Sequence, residues 1–362
     1  MERGAFRRSG RGGDRVNVMH TDSTRKLPVL AIIFPCYNEE AVLPLTAQIA
    51  IAFLDSMIAE AHVAPESFLL FVDDGSADAT WHIIRDLHEH DSRVRGLRFG
   101  GNAGHQNALL AGMHSVAHEV DCAVTMDADL QDDITLIPDM VKRFMEGNHI
   151  VYGVRGDRNT DTWFKRNSAN LFYSGMRLMG VPIIPGHADF RLVSSFAMQT
   201  LDEYPESNLF LRFIFPSMKL RFSCVHYARQ RRLAGETKYP FWKMVAFAVR
   251  GVTVCSPVPL RLAGILSLFT LFFAVVQSVV VLHAYFSGQT VPGWTSFTLL
   301  LLYLSSVQLL CLGILGEYVA KIFTEVKKRP RYRVEETLGS ASIAETPRTG
   351  KTGSRQPSQT EC

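Results

Sequence analysis

The stretch that decides the fold is Val124-Thr125-Met126-Asp127-Ala128-Asp129-Leu130-Gln131. In it, an apolar strand ends abruptly at two carboxylates. In an extended segment, the side chains of residues i and i+2 point to the same side. Asp127 and Asp129 can therefore converge on one hard cation, with the Gln131 amide oxygen as a third ligand. Oxygen ligands suit Mg²⁺ or Mn²⁺, which keep open positions for substrate phosphates. A surface turn would also explain the carboxylate pair, so this interpretation depends on the rest of the chain.

Strand-like runs alternate with helical patterns through the first part of the chain, residues 27–150. Three runs predict strands: Leu30–Phe34, Phe68–Val72 and 122–126. Two segments predict helices: 41–61 and 79–90. Repeated strand–helix units predict an α/β fold, with a Rossmann-type, mostly parallel sheet covered by helices. Ligands of such sheets bind beyond the carboxyl ends of the strands. Polar clusters follow all three predicted strands and indicate a site there: Pro35–Glu40, Asp73–Ser76 and Asp127–Asp129.

Composition narrows the class of protein. The chain has 362 residues, 47% of them hydrophobic, and a formal net charge of +3, so it does not indicate a nucleic-acid partner. Its six cysteines are scattered without a C-x-x-C spacing, which favours isolated thiols in a reducing compartment. The polar N-terminus lacks the apolar core of a secretory signal. Residues 1–26 and 340–362 are predicted to be disordered tails.

The C-terminal third carries two long uncharged runs, Ala263–Phe286 and Phe297–Leu315. Each is about long enough to span a bilayer, so a transmembrane hairpin is predicted within 261–320, with buried core helices as the alternative. The intervening loop lacks Lys and Arg, whereas the flanks are basic, which predicts a cytoplasmic catalytic domain and a cytoplasmic juxtamembrane segment at 321–339. Residues 241–260 predict an amphipathic helix in the membrane interface, although a core helix would show a similar pattern.

Eight motifs occur in an order that resembles one enzyme family: FPCYNEE (34–40), VDDGSADAT (72–80), GNAGHQNALLAGM (101–113), MDADLQD (126–132), YGVRGDR (152–158), ADFRL (188–192), RQRRLAGETKY (229–239) and GEYVAKIFTEVKKRPRY (316–332). Together they resemble the family 2 glycosyltransferases of the polyprenyl-phosphate hexosyltransferase type, closest to bactoprenol glucosyltransferases. The resemblance implies a GT-A-like domain at 27–240. One departure is Asp132-Asp133-Ile134-Thr135, which stands where the family often has D-P-P-E.

The resemblance also assigns roles to residues. It implies that Asp127, Asp129 and Gln131 hold Mg²⁺ or Mn²⁺. Donor contacts are implied at Pro35, Tyr37, Glu39, Val72, Asp74, Asp127, Ala128, Asp129, Arg155, Arg232 and Lys238. Arg229 is a candidate for the acceptor phosphate. The catalytic set is Asp127, Asp129, Asp189 and Arg232. Asp189 invites assignment as a general base, but a polyprenyl phosphate is already anionic, its second pKa being roughly 6, so we favour an orienting or sugar-contacting role.

The function implied is inverting transfer of a hexose from a nucleotide sugar to polyprenyl phosphate at the cytoplasmic membrane face. UDP-glucose is the favoured donor, and GDP-mannose and UDP-N-acetylglucosamine are alternatives. A processive polysaccharide synthase is a second hypothesis, weakened because the chain has no Q-x-x-R-W motif. A non-catalytic membrane scaffold is a third. The expected partners are the donor, the lipid acceptor and the bilayer, with a homo-oligomer left open.

Overall fold

The computed structural model describes residues 26–156, 184, 186–204, 206, 210–227, 258–287 and 293–339. Within these residues, eight strands form one sheet: Leu30–Cys36 (β1), Phe68–Asp73 (β2), Val94–Phe99 (β3), Cys122–Thr125 (β4), Ile150–Arg155 (β5), His187–Ser194 (β6), Phe222–Tyr227 (β7) and Val334–Leu338 (β8). The strand order is β7-β5-β6-β4-β1-β2-β3-β8. β1 is parallel to β2 and β4, β2 to β3, and β5 to β7. β6 is antiparallel to β4 and β5, and β8 is antiparallel to β3.

The described helices are Leu43–Ala59 (α1), Thr80–His90 (α2), His105–Val116 (α3), Ile137–Met145 (α4), Ser195–Thr200 (α5), Leu211–Ser217 (α6), Val258–Phe286 (α7) and Trp294–Lys327 (α8). All three predicted strands and both predicted helices are present, so the α/β prediction with a mostly parallel, helix-covered sheet is confirmed.

The core consists of one apolar layer on each face of the sheet. Along β1, Leu30, Ile32 and Phe34 pack with residues of α1, α2 and α4. Ala31 and Ile33 face the other side, together with residues of α3, α5 and α6. Because both faces are covered, β1 is apolar throughout instead of alternating with polar residues. The sheet is therefore covered by apolar packing on both faces, below the loops at its edge.

The last strand was not anticipated from the sequence. Residues 321–339, expected to be a cytoplasmic juxtamembrane segment, contain the end of α8 and then β8, which extends the sheet beside β3. Glu336 on β8 accepts hydrogen bonds from Trp81 Nε1 at 2.9 Å and from Arg85 Nη2 at 2.9 Å. The C-terminal strand is thus joined to the catalytic sheet through backbone and side-chain contacts.

Two long helices, α7 and α8, precede this strand and pack against each other, with Cys311 Sγ 3.6 Å from the Ala263 carbonyl oxygen. Among the described residues, the segment Tyr303–Lys327 is the one helix long and apolar enough to cross a membrane by length and composition. The two-span hairpin is not confirmed and stays a prediction. The tails, apart from Lys26, and most of the predicted amphipathic helix, 241–257, lie outside the described residues.

Candidate active site at the carboxyl edge of the sheet

Polar residues from six strands meet at one edge of the sheet. Five strands run toward this edge: β1, β2, β4, β5 and β7. β6 is antiparallel to β4, and β5 and β7 run opposite to β6, so β5 and β7 share the direction of β4. β6 runs the other way and begins here, so His187 and Asp189 at its start reach the ends of the other strands. The expected site at the carboxyl ends of the parallel strands thus also receives residues from an antiparallel strand.

The loops after β1 and β2 are held together by reciprocal hydrogen bonds. The Asn38 N–H donates to Ser76 Oγ at 2.9 Å, and the Ala77 N–H donates to Asn38 Oδ1 at 2.9 Å. The Glu39 N–H donates to Thr80 Oγ1 at 2.9 Å. Asn38 takes the left-handed conformation with φ of 55°, which Asn tolerates better than most residues. These contacts fix the backbone on which the predicted donor-binding residues lie.

The predicted donor-binding residues of β1 and β2 differ in exposure. Tyr37 is 47% exposed, so its ring is available to a ligand. Glu39 is partly exposed, whereas Pro35 and Val72 are buried. The two buried residues can therefore support the pocket or offer backbone groups, but they have little side-chain surface for a donor.

Asp74 organises a neighbouring loop. Its Oδ1 accepts from the Ala103 N–H at 2.6 Å, and its Oδ2 accepts from the Gly104 N–H at 2.9 Å. The loop approaches closely here, because a Cβ added to Gly75 would lie 2.6 Å from the Gly101 carbonyl carbon. Asp74 therefore holds the turn that starts α3, a role that the prediction of donor binding did not include.

Asp73, the residue before it, is fully buried. One carboxylate oxygen, Oδ1, accepts from the Ser76 N–H at 3.0 Å. The other, Oδ2, is buried without a hydrogen-bond partner and lies 3.6 Å from Arg98 Nε. Asp73 is 0% exposed and its Oδ2 faces Arg98, so this carboxylate supports the strand ends and has no surface for a donor, whereas donor contact at Asp74 stays a prediction.

The carboxylate pair lies just beyond β4. Asp129 is tied to Gln131 twice, through the Gln131 N–H at 3.2 Å and through Nε2 at 2.6 Å. Gln131 thus presents an amide N–H to Asp129 and would have to rotate its amide to offer oxygen to a shared cation. Burial raises the pKa of Asp127, and the nearby Asp189, Asp132 and Asp129 raise it further, against the lowering effect of His105. This surplus of negative charge is what a divalent cation would relieve.

The oxygen ligands of Asp127 and Asp129 are consistent with such a cation. The described residues contain no group of three or more His, Cys, Asp or Glu side chains with metal-site geometry. Mg²⁺ is commonly bound through one or two carboxylates together with substrate phosphates. Asp127 and Asp129 supply that minimum, and Ala128 between them is buried. The pair therefore fits a site that is completed by a substrate.

Asp189 is the centre of a buried ion-pair cluster. It pairs with Arg191 and with Arg212, whose Nη2 lies 3.0 Å from Oδ2. His105 Nε2 lies 3.5 Å from Asp189 Oδ2 and 3.7 Å from Asp127 Oδ1, so it joins this cluster to the carboxylate pair. Burial alone would raise the pKa of Asp189, but His105, Arg191 and Arg212 outweigh it and hold that pKa well below its usual range. The side chain is ionised and already engaged.

A second cluster surrounds Arg155. Its Nη2 donates to Asp132 Oδ1 at 3.1 Å, and its Nε donates to the Tyr227 hydroxyl oxygen at 3.2 Å. The Tyr227 hydroxyl in turn donates to Asp132. Asp132 Oδ2 is buried without a hydrogen-bond partner. Asp132 and Tyr227 therefore orient the guanidinium that was predicted to contact the donor.

Three predicted residues, Arg229, Arg232 and Lys238, lie outside the described residues. The structure adds others to the site that sequence reasoning did not assign: Asp73, Asp132, Arg191, Arg212 and Tyr227. Asp73, Asp132 and Arg191 stand inside quoted motifs, so their positions gave a signal. Arg212 and Tyr227 lie on α6 and β7 in no motif, and only the folded chain brings them to the site.

Comparison with known proteins gives a consistent family match. The model of "Glycosyl transferase family 2" matches residues 31–215. "Uncharacterized glycosyltransferase YkoT" of Bacillus subtilis (strain 168) is 42% identical over 317 residues, covering 88% of this chain and 94% of that protein. "Prophage bactoprenol glucosyl transferase homolog" of Escherichia coli (strain K12) is 32% identical, covering 84% and 98%. "Bactoprenol glucosyl transferase" of Shigella phage SfII is also 32% identical, covering 85% and 98%.

A solved structure, glucosyl-3-phosphoglycerate synthase from Mycobacterium tuberculosis, overlaps with a TM-score of 0.39 at 16% identity, covering 62% of this chain and 78% of that one. An overlap at this level adds nothing to the match.

Proposed function

The chain belongs to glycosyl transferase family 2, and we propose that it transfers a hexose from a nucleotide sugar to a polyprenyl phosphate with inversion. UDP-glucose is the favoured donor, because relatives that align over nearly their whole length are named bactoprenol glucosyl transferases. The observation that carries the proposal is the carboxylate-rich strand edge, where Asp127 and Asp129 adjoin Asp132 and Asp189. A nucleotide-sugar diphosphate is strongly anionic, so it can bind beside these carboxylates only when a cation lies between them.

Asp127 and Asp129 would hold Mg²⁺ or Mn²⁺, with Gln131 as a third contact after rotation of its amide. When bound, the ion neutralises the leaving diphosphate and orients it. The chain's own residues perform the remaining tasks. Tyr37 offers an exposed ring to the base, and Asp74 is the carboxylate proposed to contact the base or ribose. Arg155, held by Asp132 and Tyr227, offers the donor a fixed guanidinium.

The acceptor would need no strong base. A phosphate oxygen of the acceptor attacks the anomeric carbon, and the bond from that carbon to the donor diphosphate breaks. Because a phosphomonoester has its second pKa near roughly 6, the attacking oxygen is largely ionised at neutral pH. Asp189, ionised and paired with Arg191 and Arg212, is poorly placed to accept a proton and well placed to hold Arg212 at the site. We therefore assign Asp189 an orienting role.

The proposed membrane placement is supported by the two long helices and the strand after them. Many large apolar side chains of α8 are exposed, among them Leu309, Leu312 and Ile322, as expected for contact with lipid. β8 returns from α8 to the catalytic sheet, so the sheet lies at the end of α8 where Lys327 stands. We propose two spans with the catalytic domain in the cytoplasm, because basic residues flank the spans on that side.

The decisive experiment incubates membranes containing the full chain with labelled UDP-glucose, GDP-mannose or UDP-N-acetylglucosamine. Label is followed into the organic extract, and UDP-glucose is expected to label lipid in the presence of Mg²⁺ or Mn²⁺. The variant Asp129→Ala is expected to lose this transfer while it still inserts into membranes. Asp139→Ala is the matched control, since this carboxylate pairs with Arg143 on the surface of α4. If no donor labels lipid, the proposal fails; if Asp129→Ala stays active, Asp129 is not a metal ligand.

A further inference from the structure

A short cationic segment connects the long apolar helix to the catalytic sheet. This segment, the basic turn, carries Lys327, Lys328, Arg329, Arg331 and Arg333. We propose that the basic turn binds the anionic headgroups of the bilayer that contains α8, and so holds the sheet at a fixed height above the membrane. The inference rests on the membrane placement proposed above, and it adds a class of lipid as a binding partner.

The segment is held in place from both ends. Lys328 ends α8 in the left-handed conformation with φ of 45°, and its N–H donates to the Glu325 carbonyl at 3.2 Å. Tyr332 stacks on Phe99 with 5.1 Å between the ring centroids. The Gly100 N–H donates to the Arg333 carbonyl at 3.1 Å. The cations therefore stand on a fixed backbone, and little backbone conformational entropy would be lost when they bind a surface.

The five cations differ in exposure. Lys327, Lys328, Arg329 and Arg333 are exposed. Arg331 is different, because its Nη2 donates to the Tyr204 carbonyl at 3.0 Å and Asp202, Glu206 and Glu325 lie near its charge. Arg331 therefore anchors the turn, and the other four form the charged surface.

The nearest carboxylates of the strand do not neutralise this surface. Glu336 is engaged by Trp81 and Arg85 on the other side of β8. Glu335 is exposed and follows the turn, and Glu325 belongs to the group around Arg331. Within the described residues none of the four exposed cations forms an ion pair, while Asp202 and Glu206, exposed near Arg331, reduce the net positive charge of the region.

The apolar surface beside the turn identifies the partner as a lipid bilayer. Phe323 and Val326, in the last two turns of α8, are 59% and 72% exposed. Lys327 folds back so that its Nζ lies 4.0 Å from the Phe323 ring centroid. Exposed apolar side chains that alternate with Lys321 and Glu325, and are followed by exposed Lys and Arg, are typical of a helix end in the headgroup layer. A soluble anion would not require the apolar surface.

The test uses the full chain in mixed micelles of a non-ionic detergent with either phosphatidylglycerol or phosphatidylcholine. The midpoint of thermal unfolding is followed by tryptophan fluorescence, a readout that does not depend on sugar transfer. Phosphatidylglycerol is expected to raise the midpoint and phosphatidylcholine is not, and 0.5 M salt is expected to weaken the effect.

The informative variant is Arg329→Gln with Arg333→Gln, because both side chains are exposed and neither substitution alters the left-handed residue. The concentration of phosphatidylglycerol that raises the midpoint is expected to be about 30-fold higher for this variant, because each cation near an anionic surface contributes a factor of roughly five in affinity. Lys142→Gln with Arg221→Gln is the matched control; these exposed residues lie near β7, at the opposite end of the sheet.

Three results would each overturn the inference. They are an equal effect of the two lipids, an unchanged lipid requirement in the variant, and an equal rise in the midpoint with inorganic phosphate alone. Failure of the sugar-transfer assay would leave this readout intact, so the two proposals are tested separately.

Discussion

Replacement of Asp189 by Asn tests whether this carboxylate serves as the counter-ion of a buried guanidinium. Arg191 is 1% exposed and its Nη1 has no hydrogen-bond partner, so Asp189 supplies its main neutralising charge. Asn keeps the size of the side chain and one acceptor oxygen but removes the charge. The variant therefore leaves a cation in the core of the site with no carboxylate in contact.

The expected cost follows from that burial. Loss of one partner of a buried ion pair destabilises a protein by about 3–5 kcal/mol, and the retained acceptor places this case near 3 kcal/mol. A domain of this size loses roughly 2–4 °C in Tm for each kcal/mol, so the midpoint is expected to fall by about 6–12 °C. Arg212 is expected to contribute less to the loss, because 35% of its side chain is exposed to solvent.

The assay is thermal unfolding of the detergent-solubilised full chain, compared for Asp189→Asn, Arg191→Met and the double variant. Met can occupy the position of Arg191 beside the Phe215 ring, which lies 5.1 Å from the guanidinium carbon. Removal of both charges is expected to restore about half of the lost stability. If the two changes add, or if Asp189→Asn is as stable as the unchanged chain, the counter-ion role is refuted.

Three further predictions concern buried groups. Burial lowers the pKa of His187 to about 4; the unfolded chain thus binds more protons below pH 6.5, and the free energy of unfolding should fall by about 2 kcal/mol from pH 6.5 to pH 5. His187→Asn should remove that part of the pH dependence in urea titrations, and an unchanged slope would count against it. A Cβ on Gly112 would lie 2.6 Å from Ile33 Cγ2; Gly112→Ala should cost about 1–2 kcal/mol of unfolding free energy, whereas Gly100→Ala, with open space around it, should be nearly neutral. Burial raises the pKa of the Cys36 thiol well above its ordinary value; mass spectrometry should find Cys36 unlabelled by iodoacetamide at pH 8 until urea unfolds the chain, and fast labelling of the folded protein would contradict the buried assignment.

The sheet and its active edge could be predicted because they depend on local patterns. Apolar runs buried on both faces mark β1 and β2, and the polar residues after them mark the carboxyl edge. The carboxylate pair was found for the same reason, since its spacing and its place after β4 are visible in the sequence. These features require no knowledge of which distant segments meet.

Contacts between distant segments could not be predicted in this way. The Tyr227–Asp132 hydrogen bond spans 95 residues, and the approach of Asp189 to His105 depends on β6 running antiparallel to β4. The sequence also does not show whether a carboxylate is already used by the backbone. Asp73 and Asp74 are adjacent and chemically identical, yet their hydrogen bonds differ because only Asp74 faces the loop before α3.

Because β8 pairs with β3, the sheet cannot be completed until the C-terminal part of the chain has been synthesised. Glu336 lies 255 residues after its partner Trp81, so at ordinary rates of synthesis it leaves the ribosome roughly 10–50 s later. During that interval the backbone of β3 has no partner on its outer side. α7 and α8 also emerge before β8, so insertion of apolar helices precedes completion of the sheet. A gene truncated after β7 would therefore yield a catalytic domain with a permanently open edge, prone to pair with other chains.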